Sequence, residues 1–434
     1  MIYIALGSNI GNRLANLRKA VKFLKSDILS NSFESIVIET KALLPTDAPS
    51  RWDKPHLNML IAGETSLSPE SLLQRLKSIE HQMGRDLDAP RWSPRIIDLD
   101  ILIYNDQTIN LGNLKIPHTE LLNRDFLLHL LAMMPEKYLP NLQVGGKFVR
   151  ADEYAYKNVN CDDLFSKSFT LGSCVMGILN ITQDSFSDGG KNFLPEDAIK
   201  NAYQMVRDGA EIIDIGAQST RPDALEIIGA EGEYKRLSPV LDGIKQIDAE
   251  VSIDSYHKDL ILRLLNEHQI DWINDVTGNL DDETLKDIAS SGAKILTMHS
   301  LSVPPSKDNI LPHDLAMISS LASWVKNMME KMLRCGFNSE DVVIDLGIGF
   351  GKSIYQNLSL IREIKKFRKL GCKILVGHSR KSFMKGFSSI ETTGRDVETI
   401  AISCNLSKQN VDFIRVHNLQ DHYRFLVADK VCSS

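Results

Sequence analysis

Along this chain apolar residues recur with two different periods, and the rhythm changes once. In the first third, runs that alternate every second residue are separated by runs with a period near 3.6. MIYIAL, SIVIET, HLNMLIAGETS and IIDLDILIY read as strands, and NRLANLRKAVKFLKS and SPESLLQRLKSIEHQMG as helices. The second helix carries its own punctuation: Ser68 as N-cap, Pro69 at the first position and Gly84 at the stop. A further helix is predicted through LLNRDFLLHLLAMM. That order suggests a split β-α-β unit with helices packed on one face of a mainly antiparallel sheet.

The periodicity lapses around YAYKNVNCDDLFSKS. This places a linker at about 156–167, between a first domain over 1–155 and a second over 168–434. Beyond it eight short β-rich runs recur: CVMGILNIT, EIIDIGAQST, VSIDSY, DWINDVTG, AKILTMHS, DVVIDLGIG, CKILVGHS and DFIRVHN. Helical segments such as EDAIKNAYQMVRDGA lie between them. Eight strand-helix units are the pattern of a TIM barrel, and near-continuous apolar runs suit parallel strands covered on both faces. The expected fold class is thus an α+β, ferredoxin-like domain followed by an α/β TIM (β/α)8 barrel.

Asn180, Asp214, Asp254, Asn274, His299, Asp345, Arg380, Arg415 and His417 fall late in the barrel runs or just after them. A barrel gathers its chemical groups at the carboxyl-terminal mouth, from several strands at once. One polar strand end is ordinary solvated surface. So many on one rim point to a site.

Composition narrows the class without naming it. The 434 residues exceed one ordinary core, and 43% hydrophobic with 24% charged residues is globular. A formal net charge of -6 gives no sign of a general affinity for nucleic acid or membrane. The six cysteines show no CxxC spacing and sit mostly in apolar surroundings, which favours reduced thiols. No apolar run approaches a bilayer's width, and the chain opens directly on a strand, so a cytoplasmic location is expected.

The strand IIDLDILIY poses a chemical question. Asp98 and Asp100 are two residues apart, so both carboxylates leave the same face. Either that face is simply wet, or a cation lies between the two charges, which would otherwise repel and resist desolvation. Arg91 and Arg95 just upstream, and His118 and Arg124 downstream, tilt the balance. Cations beside metal-type carboxylates suggest a polyphosphate, since magnesium usually binds through one or two carboxylates plus substrate phosphates.

From GSN through RWSPRIIDLDIL to IPHTELLNRDF, the first domain resembles the 6-hydroxymethyl-7,8-dihydropterin pyrophosphokinases over nearly its whole length. The second resembles the dihydropteroate synthases, through MGILNITQDSFSDGG, STRP, INDVTG, GFGKS, GHSRKS and IRVH. Together they look like a fused folate-biosynthesis enzyme without the aldolase domain of some larger fusions. The resemblance implies two magnesium ions on Asp98 and Asp100, bridging the phosphates of ATP, the co-substrate. It puts Arg85, Arg95, Arg124 and His118 along the phosphates or lid, and Asn58 and Phe126 against the pterin.

For the second domain it implies one magnesium at Asn180 with the pterin diphosphate, and an anion cradle from Thr220, Arg415 and His417. Asp254, Asn274, Asp345 and Lys381 would take the pterin. Arg221, Pro222, Phe350 and Ser379 would shape a p-aminobenzoate pocket that also accepts sulfonamides. A homodimer through the barrel is expected from the same source.

Some positions depart from the families' patterns: His56 for a tyrosine, Gln183 for a proline, Ser255 for a threonine and Asp223 for a glycine. The loop KALLPTDAPSRWDK also differs from the Thr-Pro-Pro-Leu of some relatives. The run GIGFGKS hints at a phosphate loop but lacks the GxxxxGK[ST] spacing, and here it reads as a strand cap. Two rival functions remain: a fusion in which one domain has become a scaffold, and a pterin-binding sensor. A sensor would need neither metal carboxylates nor a pyrophosphate cradle.

Overall fold

The computed structural model describes residues 1–433 apart from 87, 91, 183–193, 219–227, 307–308 and 313–316. The chain divides into two compact units, Met1–Leu171 with Tyr423–Ser434, and Gly172–His422.

In the first unit the strand Ile2–Ser8 lies between two antiparallel neighbours, His56–Glu64 and Asp98–Tyr104. Val37–Thr40 continues the sheet beyond His56–Glu64, again antiparallel. This is the expected ferredoxin-like arrangement. Both sheet faces are apolar at alternate positions, which explains why both are covered. Leu60, Ala62 and Leu102 pack with Leu127, Leu128 and Leu131 of the helix Asp125–Ala132. Ile4, Leu6, Met59, Ile61 and Leu99 leave the opposite face and are also fully buried. That side receives the helices Arg13–Asp27 and Pro69–Gln82, the second capped as its sequence implies, with Ser68 accepting from the Ser71 amide. Helices thus occupy two faces rather than one.

The region expected as a linker has more structure than its composition suggests. Its first residues end the helix Ala151–Asn158, and its last residue opens the strand Lys167–Phe169, paired antiparallel with Val37–Glu39. Phe169 is 3% exposed, and the Tyr423 ring meets it edge-on at 5.0 Å. Val427 packs on the core that holds Leu60 and Leu128, and the Lys430 amine lies 5.3 Å from the Phe33 ring centre.

The second unit is a closed barrel of eight parallel strands in chain order. They are Cys174–Asn180, Ile212–Gly216, Glu250–Asp254, Trp272–Asp275, Lys294–Met298, Val342–Asp345, Lys373–Val376 and Phe413–Val416. Met176, Ile212, Trp272, Leu296, Val343 and Leu375 form one apolar layer with Phe413. Strand residues two apart share a face, so the next inward step up the same strands is Asp214, Asn274, Asp345 and Arg415. The apolar layer is the floor on which that polar layer stands. Among the described residues no helix is long and apolar enough to cross a membrane.

Phe169→Ala should destabilise the first unit by about 3 kcal/mol, the usual loss for a buried phenylalanine. Urea unfolding followed by tryptophan fluorescence measures this. A change under about 1 kcal/mol would mean that the added strand carries no packing weight.

Candidate active sites

In the first unit, register assembles the site. Gly7 pairs with Asn58 on one side and Asp98 on the other, so Asn58 and Asp98 share a row across three strands. Asp100 follows one step along the same face, opposite Ala5. The Asp98 carboxylate is held from two directions, by Arg85 at 2.5 Å and Arg95 at 3.1 Å. Burial alone would raise the Asp98 pKa, but the two guanidinium groups outweigh it and hold the carboxyl below its ordinary range. Asp100 goes the other way. Burial, then the neighbouring Asp98 charge, raise it, with His118 and Arg124 opposing.

Among the described residues Asp100 accepts no hydrogen bond and has no ion-pair partner, so a charge deficit remains beside it. A divalent cation with phosphate oxygens would fill that deficit, and two carboxylates are the donor set magnesium takes. His118 is brought alongside by its own backbone, whose amide donates to the Leu102 carbonyl. Arg124 precedes the helix Asp125–Ala132, and Phe126 in its first turn is half-buried against the core. Asn58 donates to the Thr40 hydroxyl at 2.9 Å.

Two residues here escaped sequence reading. Glu80 is fully buried, pairs with Arg85 at 2.7 Å, and accepts the Leu99 amide between the two aspartates. Its legible trace is a charge on the apolar stripe Leu72, Leu76, Glu80. Asn9 accepts the Arg95 amide at 2.7 Å and donates its own amide back to the Arg95 carbonyl. It pins that arginine to the Gly-Ser-Asn turn.

In the second unit the polar layer is mutually bonded. Asp214 is wholly buried and accepts from Ser252 at 2.5 Å, Asn274 at 2.9 Å and Arg415 at 2.6 Å. Arg415 reaches Asp254 with its other arm at 2.8 Å. Gly377 lies beside both: a Cβ there would stand 3.5 Å from the Asp345 carboxylate and 3.9 Å from the Arg415 side chain, in ordinary contact.

Burial pushes the Asp254 carboxyl up to about 7, against the pull of Arg415 and with the help of Asp214. Burial raises Asp345 as well, and lowers the Lys381 amine to about 8. Lys381 donates to the Ile348 carbonyl and sits 4.7 Å from the Phe350 ring centre. Ser379 and His417 share a hydrogen bond of 2.9 Å. Asn180 ends its strand with its amide oxygen beside Gly216. Thr220, Arg221, Pro222, Asp223 and Gln183 lie outside the described residues.

The two units match known families in the same order. The model of the 7,8-dihydro-6-hydroxymethylpterin-pyrophosphokinase family matches residues 3–136, and that of the pterin binding enzymes matches 176–417. A Chlamydia caviae protein described as a folate synthesis bifunctional protein is 36% identical over 435 residues, covering 98% of this chain and 97% of that one. The chain belongs to the bifunctional folate-synthesis proteins.

Structures agree for the barrel half. The dihydropteroate synthase of Anaplasma phagocytophilum, solved with bound 6-hydroxymethylpterin-monophosphate, is 31% identical with a TM-score of 0.54. It covers 60% of this chain and 99% of its own. The Yersinia pestis dihydropteroate synthase, solved in a sulfonamide drug complex, is 27% identical with a TM-score of 0.56, covering 61% and 95%. This folate-synthesis protein therefore carries two transferase activities. One moves pyrophosphate from ATP to 6-hydroxymethyl-7,8-dihydropterin, and the other condenses the product with p-aminobenzoate to 7,8-dihydropteroate.

The raised Asp254 pKa makes a testable difference. A carboxyl whose folded pKa lies above its unfolded value contributes stability that is complete in acid and lost as pH rises through about 7. Pterin recognition by a carboxylate runs opposite, because only the ionised form accepts two N–H groups. On the resemblance's assignment of Asp254 to the pterin, affinity of the barrel for the pterin diphosphate should rise as pH climbs toward 7 and level off above it, and Asp254→Asn should bind weakly with no such rise. Calorimetric titration across that range tests it; an unchanged pH profile in Asp254→Asn would assign the titration elsewhere.

Proposed function

We propose that Asp98 and Asp100 are the magnesium-holding pair of the first reaction, and that Arg85, Arg95, His118 and Arg124 face the ATP phosphates. The observation carrying this is the unbalanced carboxylate pair on one strand face, with one member already fixed by two arginines. Bound magnesium would neutralise the polyphosphate and polarise the β-phosphorus. The chain's own residues do the rest. Asn58 and Phe126 orient the pterin, so that its hydroxymethyl oxygen meets the β-phosphorus in line as AMP departs. Arg85 and Arg95, held near by Asp98 and Glu80, would stabilise oxygens that gain charge.

In the barrel, Asp254, Asn274 and Asp345 hold the pterin's guanidine-like edge, with Lys381 toward its ring carbonyl. The amine nitrogen of p-aminobenzoate attacks the pterin methylene carbon, the carbon–oxygen bond breaks, the nitrogen gives up one proton to solvent, and pyrophosphate leaves toward Arg415 and His417, with Thr220 completing the cradle. One magnesium at Asn180 belongs to this reading, since an amide oxygen is the hard donor type that the ion accepts. Phe350, Ser379 and Arg221 bound the p-aminobenzoate pocket. A cytoplasmic location and a homodimer through the barrel complete the proposal; the six free cysteines suit the former.

Asp98→Asn should lower AMP release from ATP and hydroxymethyl-dihydropterin by ~10²-fold or more, as expected for losing one charge-stabilising group. Pterin affinity should hardly change. Near-normal turnover would dismiss the metal-site assignment. Sulfonamides should inhibit dihydropteroate formation in competition with p-aminobenzoate and bind better once pyrophosphate is present. Competition with ATP instead would place them in the wrong unit.

A further inference from the structure

Apart from Phe350, the Gly-Phe-Gly-Lys-Ser run takes no part in the chemistry above, yet its lysine is among the most constrained of the described residues. Lys352 is 7% exposed, although it follows a loop at the barrel mouth. Its ammonium lies 2.9 Å from the Phe350 carbonyl, 3.0 Å from that of Gly347 and 3.4 Å from that of His299. The His299 Nδ1 is a fourth neighbour at 3.1 Å. A lysine that binds phosphate presents its charge outward. This one is consumed by carbonyl oxygens of its own loop and of the adjoining strand end.

The loop it ties down cannot relax elsewhere. Gly347 has φ +67°, and a Cβ there would stand 2.0 Å from the His299 carbonyl oxygen. Gly349 and Gly351 are also left-handed, at +85° and +64°. Asn357 anchors the loop from outside, accepting the Gly349 amide at 2.8 Å and donating to the Lys352 carbonyl at 3.1 Å. On the loop's other side Lys381 takes the Ile348 carbonyl and lies over Phe350. Two lysines therefore grip consecutive carbonyls of one turn, Lys352 that of Gly347 and Lys381 that of Ile348.

We propose that Lys352 is a positioning residue for the second reaction: its ammonium fills a cage of backbone carbonyls, that of Phe350 among them, and so fixes Phe350 as the wall against which p-aminobenzoate sits. This rests on the reading of Phe350 given above. The residue touches no substrate. It sets the place of one that does. Burial pushes its amine down to about 7, Asp345 nearby pulling the other way. The carbonyl oxygens are what make a proton worth keeping there.

The test uses the whole chain, with dihydropteroate formation from the pterin diphosphate and p-aminobenzoate. Lys352→Met keeps the stem and removes the ammonium. It should raise KM for p-aminobenzoate roughly tenfold to a hundredfold, the scale of a small misplacement, and leave the dissociation constant of the pterin diphosphate unchanged. Lys352→Ala opens a space shaped like propylammonium. Adding propylammonium should restore its KM, sodium chloride at equal ionic strength should not, and Lys352→Met should not respond.

A folded Lys352→Met with the parent KM, equal weakening of both substrates, or a folded Lys352→Ala that propylammonium fails to rescue would each overturn the proposal. Should Lys352→Met not fold, the propylammonium arm decides alone. Absence of product from the parent protein would instead strike at the functional reading.

Discussion

A guanidinium divided between two carboxylates organises each unit. Arg415 links Asp214 to Asp254 in the barrel, and Arg85 links Glu80 to Asp98 in the sheet unit. In both cases one carboxylate is fully buried and faces structure, and the other faces the site. Arg415 does this with two nitrogens of its planar fork and Arg85 with one. Removing either carboxylate would leave a buried charge short of a partner, typically a loss of about 3–5 kcal/mol. Stability and site geometry therefore rest on the same bonds.

This sharing explains which groups are perturbed. Asp98 receives two guanidinium groups and stays ionised, whereas Asp100, two residues on, receives none and is raised. In the barrel, Asp214 collects three donors and leaves Asp254 with a single arm of Arg415. Each unit thus gathers most of its donors on one acid and leaves the next one under-compensated. An under-compensated acid facing a lumen is where a cation or an N–H-rich ring binds with most gain.

Much of this could be read from the chain itself. The eight barrel strands are short apolar runs whose polar ends mark one rim, and alternation alone puts Asp98 and Asp100 on one face. What escaped detection is non-local. The strand Lys167–Phe169 is too brief to show periodicity, and its partner Val37–Glu39 lies more than a hundred residues earlier. Glu80 and Lys352 look like solvated charges because helix and loop positions commonly carry them. Only the surrounding fold shows one pairing with Arg85 and the other enclosed by carbonyls. The helix Asp125–Ala132 was expected with the others, but a sheet apolar on both faces needs cover on both.

The allotment of Tyr423–Ser434 to the first unit bears on how the protein is made. The barrel is, in topological terms, an insertion within the sheet unit. A ribosome releasing the chain from its amino end therefore delivers Phe169 long before Tyr423, the ring that meets it. The roughly 250 residues between them take on the order of tens of seconds to synthesise. Throughout that interval the sheet unit waits with an apolar strip uncovered, and the barrel cannot close much sooner, since its last strand, Phe413–Val416, just precedes Tyr423. The nascent chain would then be most exposed to chaperones and to aggregation at the strand that its sequence announces least.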